Sequence, residues 1–138
     1  MLALCAAISL STAFYSGAAV ATTSTERRGH QLINSARSSH GLNGLRLSSA
    51  LSKRAHRHSI HMAESGRLFH SCLNCRRGSG SRALAENVGV GDTVKVVHRA
   101  LMDSSSHRRN ILSSDFRRVG VGVVRRSGRV WVTQLFAG

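Results

Sequence analysis

The end of the chain constrains its fold most strongly, because two segments rich in β-branched residues follow each other there. Residues 119–126 read VGVGVVRR and residues 129–137 read RVWVTQLFA, with Ser127 and Gly128 between them. Two such runs joined by a two-residue turn that contains glycine are typical of a β-hairpin. The sequence therefore predicts that the chain ends in a hairpin.

Helical patterns occupy most of the chain before this hairpin. Thr23 and Glu26 have the spacing of a capping box, Ser48 can cap a second helix, and Asp92 or Thr93 can cap a third. We predict helices over residues 25–39, 49–65 and 93–102, a short helix within 104–112, and an extended segment over 85–91. Helices followed by a terminal hairpin indicate an α+β domain with helices stacked on a sheet.

The first residues have the composition of an export signal. No charged residue occurs in the first 21 positions, which hold an apolar stretch from Leu2 to Leu10 and the small residues Ala19 and Ala21 around Val20. The apolar stretch is shorter than a membrane-spanning helix needs. We predict a cleaved signal peptide over residues 1–21 and one domain over residues 22–138. An uncleaved anchor and a buried core helix are the alternatives.

The remaining chain is strongly basic. Twenty lysine and arginine residues oppose six acidic ones, which gives a formal net charge of +14. Such a charge attracts anionic wall polymers, anionic lipid headgroups or nucleic acid. The arginines are scattered and aromatic side chains are few, so we expect no specific nucleic-acid partner. The alternative is that the charge forms only a solvated face.

Two cysteines remain after the predicted cleavage, Cys72 and Cys75. In an exported protein, a pair at this spacing is predicted to form a local disulfide bond. A redox-active pair and a zinc knuckle that includes His70 are the alternatives. The zinc knuckle would have only three nearby ligands and no second cluster.

Three polar residues interrupt segments that otherwise look like ordinary packing. They are His70 in GRLFHS, Glu86 in AENVG and His107 in SSSHRRNIL. Two imidazoles and one carboxylate could bind a divalent metal such as zinc with an open position. They could also form an acid–base pair in which the carboxylate orients a histidine.

The order of these strings resembles the CAP superfamily, the cysteine-rich secretory, antigen 5 and pathogenesis-related 1 proteins, also called SCP-like domains. The strings are LINSAR, GLNGL, HMAESGRLFHS, AENVGVG, LMDSSSHRRNIL, FRRVGVGVV and WVTQLFA, between residues 28 and 137. They are most similar to the compact bacterial branch. The resemblance implies a three-layer α-β-α sandwich, an extracellular location, and a cleft lined by two histidines and acidic residues that holds zinc in some members.

The resemblance also assigns positions in that cleft. His70 matches the first cleft histidine, Glu86 the acid of a Glu-Asn motif, and His107 the second histidine. Leu101 stands where eukaryotic members have a tryptophan, and a serine near Ser104 stands where they have a second acid. Metal affinity should therefore be lower than with two carboxylates.

The neighbouring residues are expected to be structural. Asn87 and Asn110 should tie loop backbone, and Arg108 should form an ion pair with Asp103 or Asp115.

In the hairpin, we expect Gly120 and Gly122 to allow close strand packing or a bulge, and Trp131 to belong to the core.

These observations predict a monomeric, secreted binding module that is not an integral membrane protein. Its cleft would take a small extracellular ligand or a divalent metal, and its basic surface an anionic polymer or lipid. The alternative is a secreted, peptidase-like hydrolase assisted by a metal or by the His/Glu pair. A third hypothesis is a cationic protein that acts through charge alone.

Overall fold

The computed structural model describes residues 23–73 and 84–138. In order along the chain, the elements are α1 (Ser24–Ser39), β1 (Arg46–Leu47), α2 (Ser49–Ser65), β2 (Leu84–Gly91), α3 (Val94–Asp103), α4 (Ser105–Leu112), β3 (Arg118–Arg126) and β4 (Arg129–Ala137). Every predicted helix and strand is present within two residues of its expected bounds. The short strand β1 was not predicted. The predicted signal peptide lies outside the described residues.

The helix ends follow from local sequence signals. At the start of α1, the Glu26 backbone N–H donates to the Thr23 hydroxyl at 3.1 Å, and the Thr23 N–H donates to the Glu26 carboxylate at 2.9 Å. The predicted capping box is therefore confirmed. Helix α2 is capped by Ser48 and ends at Gly66, whose φ of 65° is a left-handed conformation that glycine adopts readily.

The sheet has the strand order β1-β3-β4-β2. Strands β3 and β4 form the predicted hairpin, and its turn residues Ser127 and Gly128 both have positive φ angles, 50° and 75°. Positive φ at both turn positions matches the right-handed twist of the strands. Strand β1 pairs parallel to β3, while β2 pairs antiparallel to β4. Strand β2 is therefore an edge strand of this sheet.

Helix α2 covers one face of the sheet at very short range. A Cβ atom on Gly120 would lie 2.2 Å from the backbone of Leu51, and one on Gly122 would lie 2.2 Å from the backbone of Ala55. The helix backbone therefore rests directly on β3, which confirms that the two glycines allow close packing. Helices α1, α3 and α4 cover the opposite face, so the domain is an α-β-α sandwich.

The core has one part on each face of the sheet. The larger part joins α1, α3 and α4 to β3 and β4, with Ile33, Leu101 and Phe136 among its members. The smaller part lies under α2 and includes Met62 and Trp131. Trp131 is 8% exposed, so its predicted core position is confirmed. Within residues 23–73 and 84–138, no helix has both the length and the apolar character needed to cross a bilayer.

A buried arginine fixes α1 to the loops around it. Arg37 donates to the backbone carbonyls of Asn43, Ile111 and Ser113 at 2.8, 2.9 and 2.7 Å. Burial, and to a smaller extent the nearby charge of Arg117, lowers its pKa. A charged side chain is stable in the interior only when its donors are satisfied, and these carbonyls accept from two of its nitrogens.

Candidate functional site

The three predicted site residues meet at the edge strand β2. Glu86 is part of β2 itself, His70 lies in the segment that follows α2, and His107 lies in α4. Alternate residues of a strand point to opposite faces. Val88 packs with the α2 core, whereas Gly89 contacts α3. The edge strand thus brings together one histidine from each side of the sheet.

The Glu86 carboxylate is buried and fully engaged by the segment after α2. Its side chain is 0% exposed, whereas that of His70 is 59% exposed. One carboxylate oxygen accepts from His70 Nδ1 at 2.9 Å and from the Ser71 N–H at 2.7 Å, and the other accepts from the Ser71 hydroxyl at 2.5 Å. Glu86 therefore orients the imidazole, and the outer edge of the His70 ring faces solvent.

The ring of His107 is held in a similar way by a serine. Its Nδ1 atom lies 2.8 Å from the Ser104 hydroxyl. Ser104 stands at the N-cap of α4, yet its side chain makes no hydrogen bond to the helix backbone. Burial, and secondly the charge of nearby His70, lowers the pKa of His107. The imidazole is therefore favoured in its neutral form.

A network of amides supports the backbone behind the two rings. Asn87 donates to the carbonyl of His107 and to the side chain of Gln134, both at 3.1 Å. Asn110 donates to the Asn87 side-chain oxygen at 2.9 Å and to the Glu86 carbonyl at 3.5 Å. These bonds tie α4 to β2, and hence fix His107 relative to Glu86.

The prediction for Arg108 is wrong. Its guanidinium donates to the backbone carbonyl of Met102 at 2.9 Å and forms no ion pair with Asp103 or Asp115. Met102 lies in the last turn of α3, where carbonyls lack a partner within the helix. Both aspartates are exposed, and an ion pair in water contributes little.

A mostly apolar cavity of about 230 Å³ adjoins His107. Ser104 and His107, which bond to each other, supply the polar part of its lining. Its apolar walls come from the segment after α2, from the edge strand and from α3, and they include Leu68, Val88, Val90, Val97 and Leu101. The cavity thus extends the histidine site along the edge of β2.

The residues do not form a complete metal centre. In the part of the chain that the structure describes, no group of three or more His, Cys, Asp or Glu side chains is arranged to hold a metal ion. The reason is visible at Glu86, whose two oxygens are already used by His70 and Ser71. Structural zinc sites have four protein ligands and catalytic ones usually three, whereas His70 and His107 offer two.

The predicted disulfide and the alternative zinc knuckle both involve Cys75, which lies outside the described residues. Both stay predictions. The backbone carbonyl of Cys72 accepts from Arg54 of α2 at 3.0 Å, which connects this segment to the helix.

Sequence reasoning missed three parts of the site: the role of Ser71, the bond from Ser104 to His107, and the cavity. A signal existed for Ser104, because it lies three positions before His107, a spacing that brings side chains together in a helical turn. No local signal marks Ser71 or the cavity, because both depend on how distant segments pack.

This chain is similar to known proteins in three comparisons: with a family model, with a relative in sequence, and with solved structures. The model of the cysteine-rich secretory protein family, CAP, matches residues 30–136. The chain is 33% identical over 122 residues to the uncharacterized protein YkwD of Bacillus subtilis, an alignment that covers 82% of this chain and 47% of YkwD. The chain thus spans about half the length of this relative.

Similar solved structures have the same fold. An outer surface protein from Borrelia burgdorferi superposes with a TM-score of 0.75 at 18% identity, covering 86% of this chain and 95% of that one. An extracellular protein with an SCP domain from Bacillus anthracis gives 0.71 at 24% identity, covering 82% and 40%. The structure of NaASP2 with Zn²⁺ gives 0.62 at 16% identity, covering 83% and 80%.

Proposed function

The chain belongs to the CAP family of cysteine-rich secretory proteins, and we propose that it is an exported binding module. Its site at His70, Glu86 and His107 takes up a small ligand, and its basic surface holds an anionic polymer or lipid. Membership of the family does not by itself supply the ligand, because one fold carries many functions. The proposal therefore depends on the chemistry of the site.

The main support is the way in which the two rings are held. Each imidazole uses Nδ1 for a bond inside the protein, His70 to Glu86 and His107 to Ser104. Among the described residues, neither Nε2 atom has a hydrogen-bond partner, so these are the ring atoms that would meet a ligand. A carboxylate or other oxygen that holds one ring nitrogen, and so aims the other at a ligand, is common at histidine sites. A purely structural role does not require a ring that is more than half exposed, as that of His70 is.

A ligand screen with matched variants tests this proposal. We expect that some members of a library of small hydroxyl, amide and carboxylate compounds bind the wild-type protein in saturation-transfer NMR. The same compounds should lose binding in His70→Ala and His107→Ala and keep it in His61→Ala, which changes an exposed histidine of α2. Equal binding to all four proteins would show that the site is not used.

The second candidate function is hydrolysis, and the bond between His70 and Glu86 favours it. A histidine held through Nδ1 by a carboxylate is suited to act as a general base. We expect no peptide cleavage, because the sequence has no peptidase motif such as His-Glu-x-x-His and no group of the described residues is arranged to hold a catalytic metal. Cleavage of a peptide library that is lost in a folded His107→Ala variant would reverse this preference.

Zinc is a candidate for binding by the two imidazoles, because the structure of NaASP2 was determined with Zn²⁺. His70 and His107 would hold the ion through Nε2. Glu86 would orient the His70 ring and would not bind the ion itself. With two protein ligands, we expect weak binding. Calorimetric titration of the wild type should show this weak site, and titration of either alanine variant should show none. Tight binding would indicate ligands outside the described residues.

The surface charge supports an anionic partner. Glu26 and Glu86 are buried beside His56 and His70, so two of the six acidic side chains do not offset the arginines at the surface. Binding to an anionic polymer such as heparin should therefore weaken steeply as salt rises. Uptake of a small ligand at the histidines should change little. Polymer binding that is constant at high salt would contradict a charge-driven surface.

Export is supported by the family and by the apolar start of the chain. The Borrelia burgdorferi and Bacillus anthracis proteins are an outer surface and an extracellular protein. Expression of the whole chain in a bacterial host should release a protein that begins near residue 22 and that runs as a monomer in gel filtration. Intact mass spectrometry of that protein should show the loss of two hydrogens expected for a bond between Cys72 and Cys75.

A further inference from the structure

The cavity beside His107 has the size and lining of a small-molecule pocket. Its volume is about 230 Å³, and an engineered apolar cavity of about 150 Å³ is known to take up benzene. Its walls are built by α3, by the edge strand and by Leu68, which is 47% exposed. The cavity therefore has an open side through which a ligand can enter.

The lining also restricts the charge of an occupant. No lysine, arginine, aspartate or glutamate is among the described residues that line the cavity. An ionised group inside it would lose water without gaining a counter-ion, which is costly. The polar groups available are the hydroxyl of Ser104 and the ring of His107, which bond to each other at 2.8 Å. Both are suited to hydrogen bonds with an uncharged group that donates and accepts.

We propose that this cavity binds the apolar part of a small neutral amphiphile whose hydroxyl group bonds to His107. The inference rests on the proposed function, because it assigns a ligand class to the same site. Leu101 is a large and buried member of the lining, so its side chain is expected to limit how far an occupant can enter. It lines the cavity from α3, at the position where the resemblance expects a tryptophan, and its smaller side chain leaves space there.

A series of linear 1-alkanols measures the pocket directly. A methylene group occupies about the volume of a water molecule, roughly 30 Å³, so the cavity has room for about seven or eight carbons. Calorimetry should show affinity rising about fourfold per carbon up to that length and levelling off beyond it. Alkanoates of equal length should bind more weakly than the alkanols. A steady rise through long chains, or tighter binding of the alkanoates, would overturn the inference.

Two variants and one control connect the result to the cavity. Leu101→Ala enlarges it, so the length at which affinity levels off should increase by about three carbons. Ala100→Trp places a large ring at an exposed lining position and should reduce affinity at least about tenfold. Arg99→Trp puts the same ring on the same helix outside the cavity and should leave affinity unchanged. An unchanged limit in a folded Leu101→Ala protein would refute the pocket.

A third variant separates this inference from the proposed function. His107→Phe keeps a ring at the cavity wall and removes the ring nitrogens, so it should weaken all alkanols by a similar factor without changing the length limit. If the length limit is absent but binding still depends on His107, the pocket is refuted and the histidine site remains. If the limit is present but His107→Phe has no effect on affinity, the hydroxyl contact is refuted, and with it the use of His107 for this ligand.

Discussion

Replacing Gly122 with alanine tests how the fold holds the site. The added Cβ would lie 2.2 Å from the carbonyl carbon of Ala55, whereas ordinary contact begins at 3.4 Å. Helix α2 and strand β3 must therefore separate by about 1.2 Å, and both partners are backbone, which cannot rotate away. Overpacking of this kind costs about 1–3 kcal/mol.

The separation also breaks hydrogen bonds under the helix. The Ser59 hydroxyl donates to the Gly122 carbonyl at 3.1 Å and lies 2.8 Å from the Thr133 hydroxyl. Each bond contributes about 1 kcal/mol, so we expect Gly122→Ala to lower the free energy of unfolding by about 3–5 kcal/mol. That is a large fraction of the roughly 5–15 kcal/mol typical of a domain.

Helix α2 also carries the support for the first histidine. His58 donates through Nε2 to the carbonyl of Phe69 at 2.7 Å, directly before His70. A displaced helix should therefore change the NMR resonances of the His70 ring as well as the stability.

Urea unfolding followed by circular dichroism measures the loss of stability in Gly122→Ala. Gly44→Ala is the matched control, because the three atoms nearest to its Cβ would be those of the Asn34 side-chain amide, at 3.2 Å and beyond, and a shift of a few tenths of an ångström should cost less than the separation of two backbones. A Gly122→Ala protein as stable as the control would refute the close packing of α2 on β3.

Four further predictions concern single side chains. Arg37→Met removes the charged donor from three backbone carbonyls, of which that of Ile111 is buried, so urea unfolding should show a loss of at least about 3 kcal/mol; an unchanged midpoint would contradict this. His70→Ala removes the smaller cause that lowers the pKa of His107, so an NMR titration should show that pKa rising while burial keeps it below 6.5. Because this pKa is lowered in the folded state, the stabilisation linked to His107 is complete above about pH 6.5 and is lost as pH falls through the folded-state value; a stability that increases on acidification through this range would contradict the assignment. Ser104→Ala should cost less stability than Thr93→Ala, whose expected cost is about 1 kcal/mol, because only the Thr93 hydroxyl caps its helix; thermal unfolding that ranks the two variants in the opposite order would contradict the capping assignment.

Local signals in the sequence predict most of the fold. The capping box at Thr23 and Glu26, the glycine after α2 and the turn at Ser127 and Gly128 each act over a few residues, and each is confirmed. The strand β1 was missed because two residues have no periodicity. Its pairing with β3, far along the chain, depends on tertiary packing.

The site also has features that local sequence predicts and features that depend on tertiary packing. The histidines and Glu86 stand in strings that resemble a known family, so their positions could be identified. Their partners could not, because the bonds of Ser71 to Glu86 and of Asn87 to Gln134 join residues 15 and 47 positions apart. Arg108 shows the risk of pairing charges by proximity in sequence, since the nearby helix-end carbonyl is the partner that the structure gives it.

The imidazole resonances of His70 and His107 give the most direct test of the central claim, which is that these rings hold a ligand. A ¹⁵N-labelled protein should show Nε2 shifts of both rings when a compound from the polar library binds, with His40, at the end of α1, and His61, on α2, as exposed controls. The account predicts changes confined to His70 and His107, with their Nδ1 signals changing little because Glu86 and Ser104 hold those atoms. Ligand binding that leaves both rings unchanged, or that perturbs all four histidines equally, would contradict it.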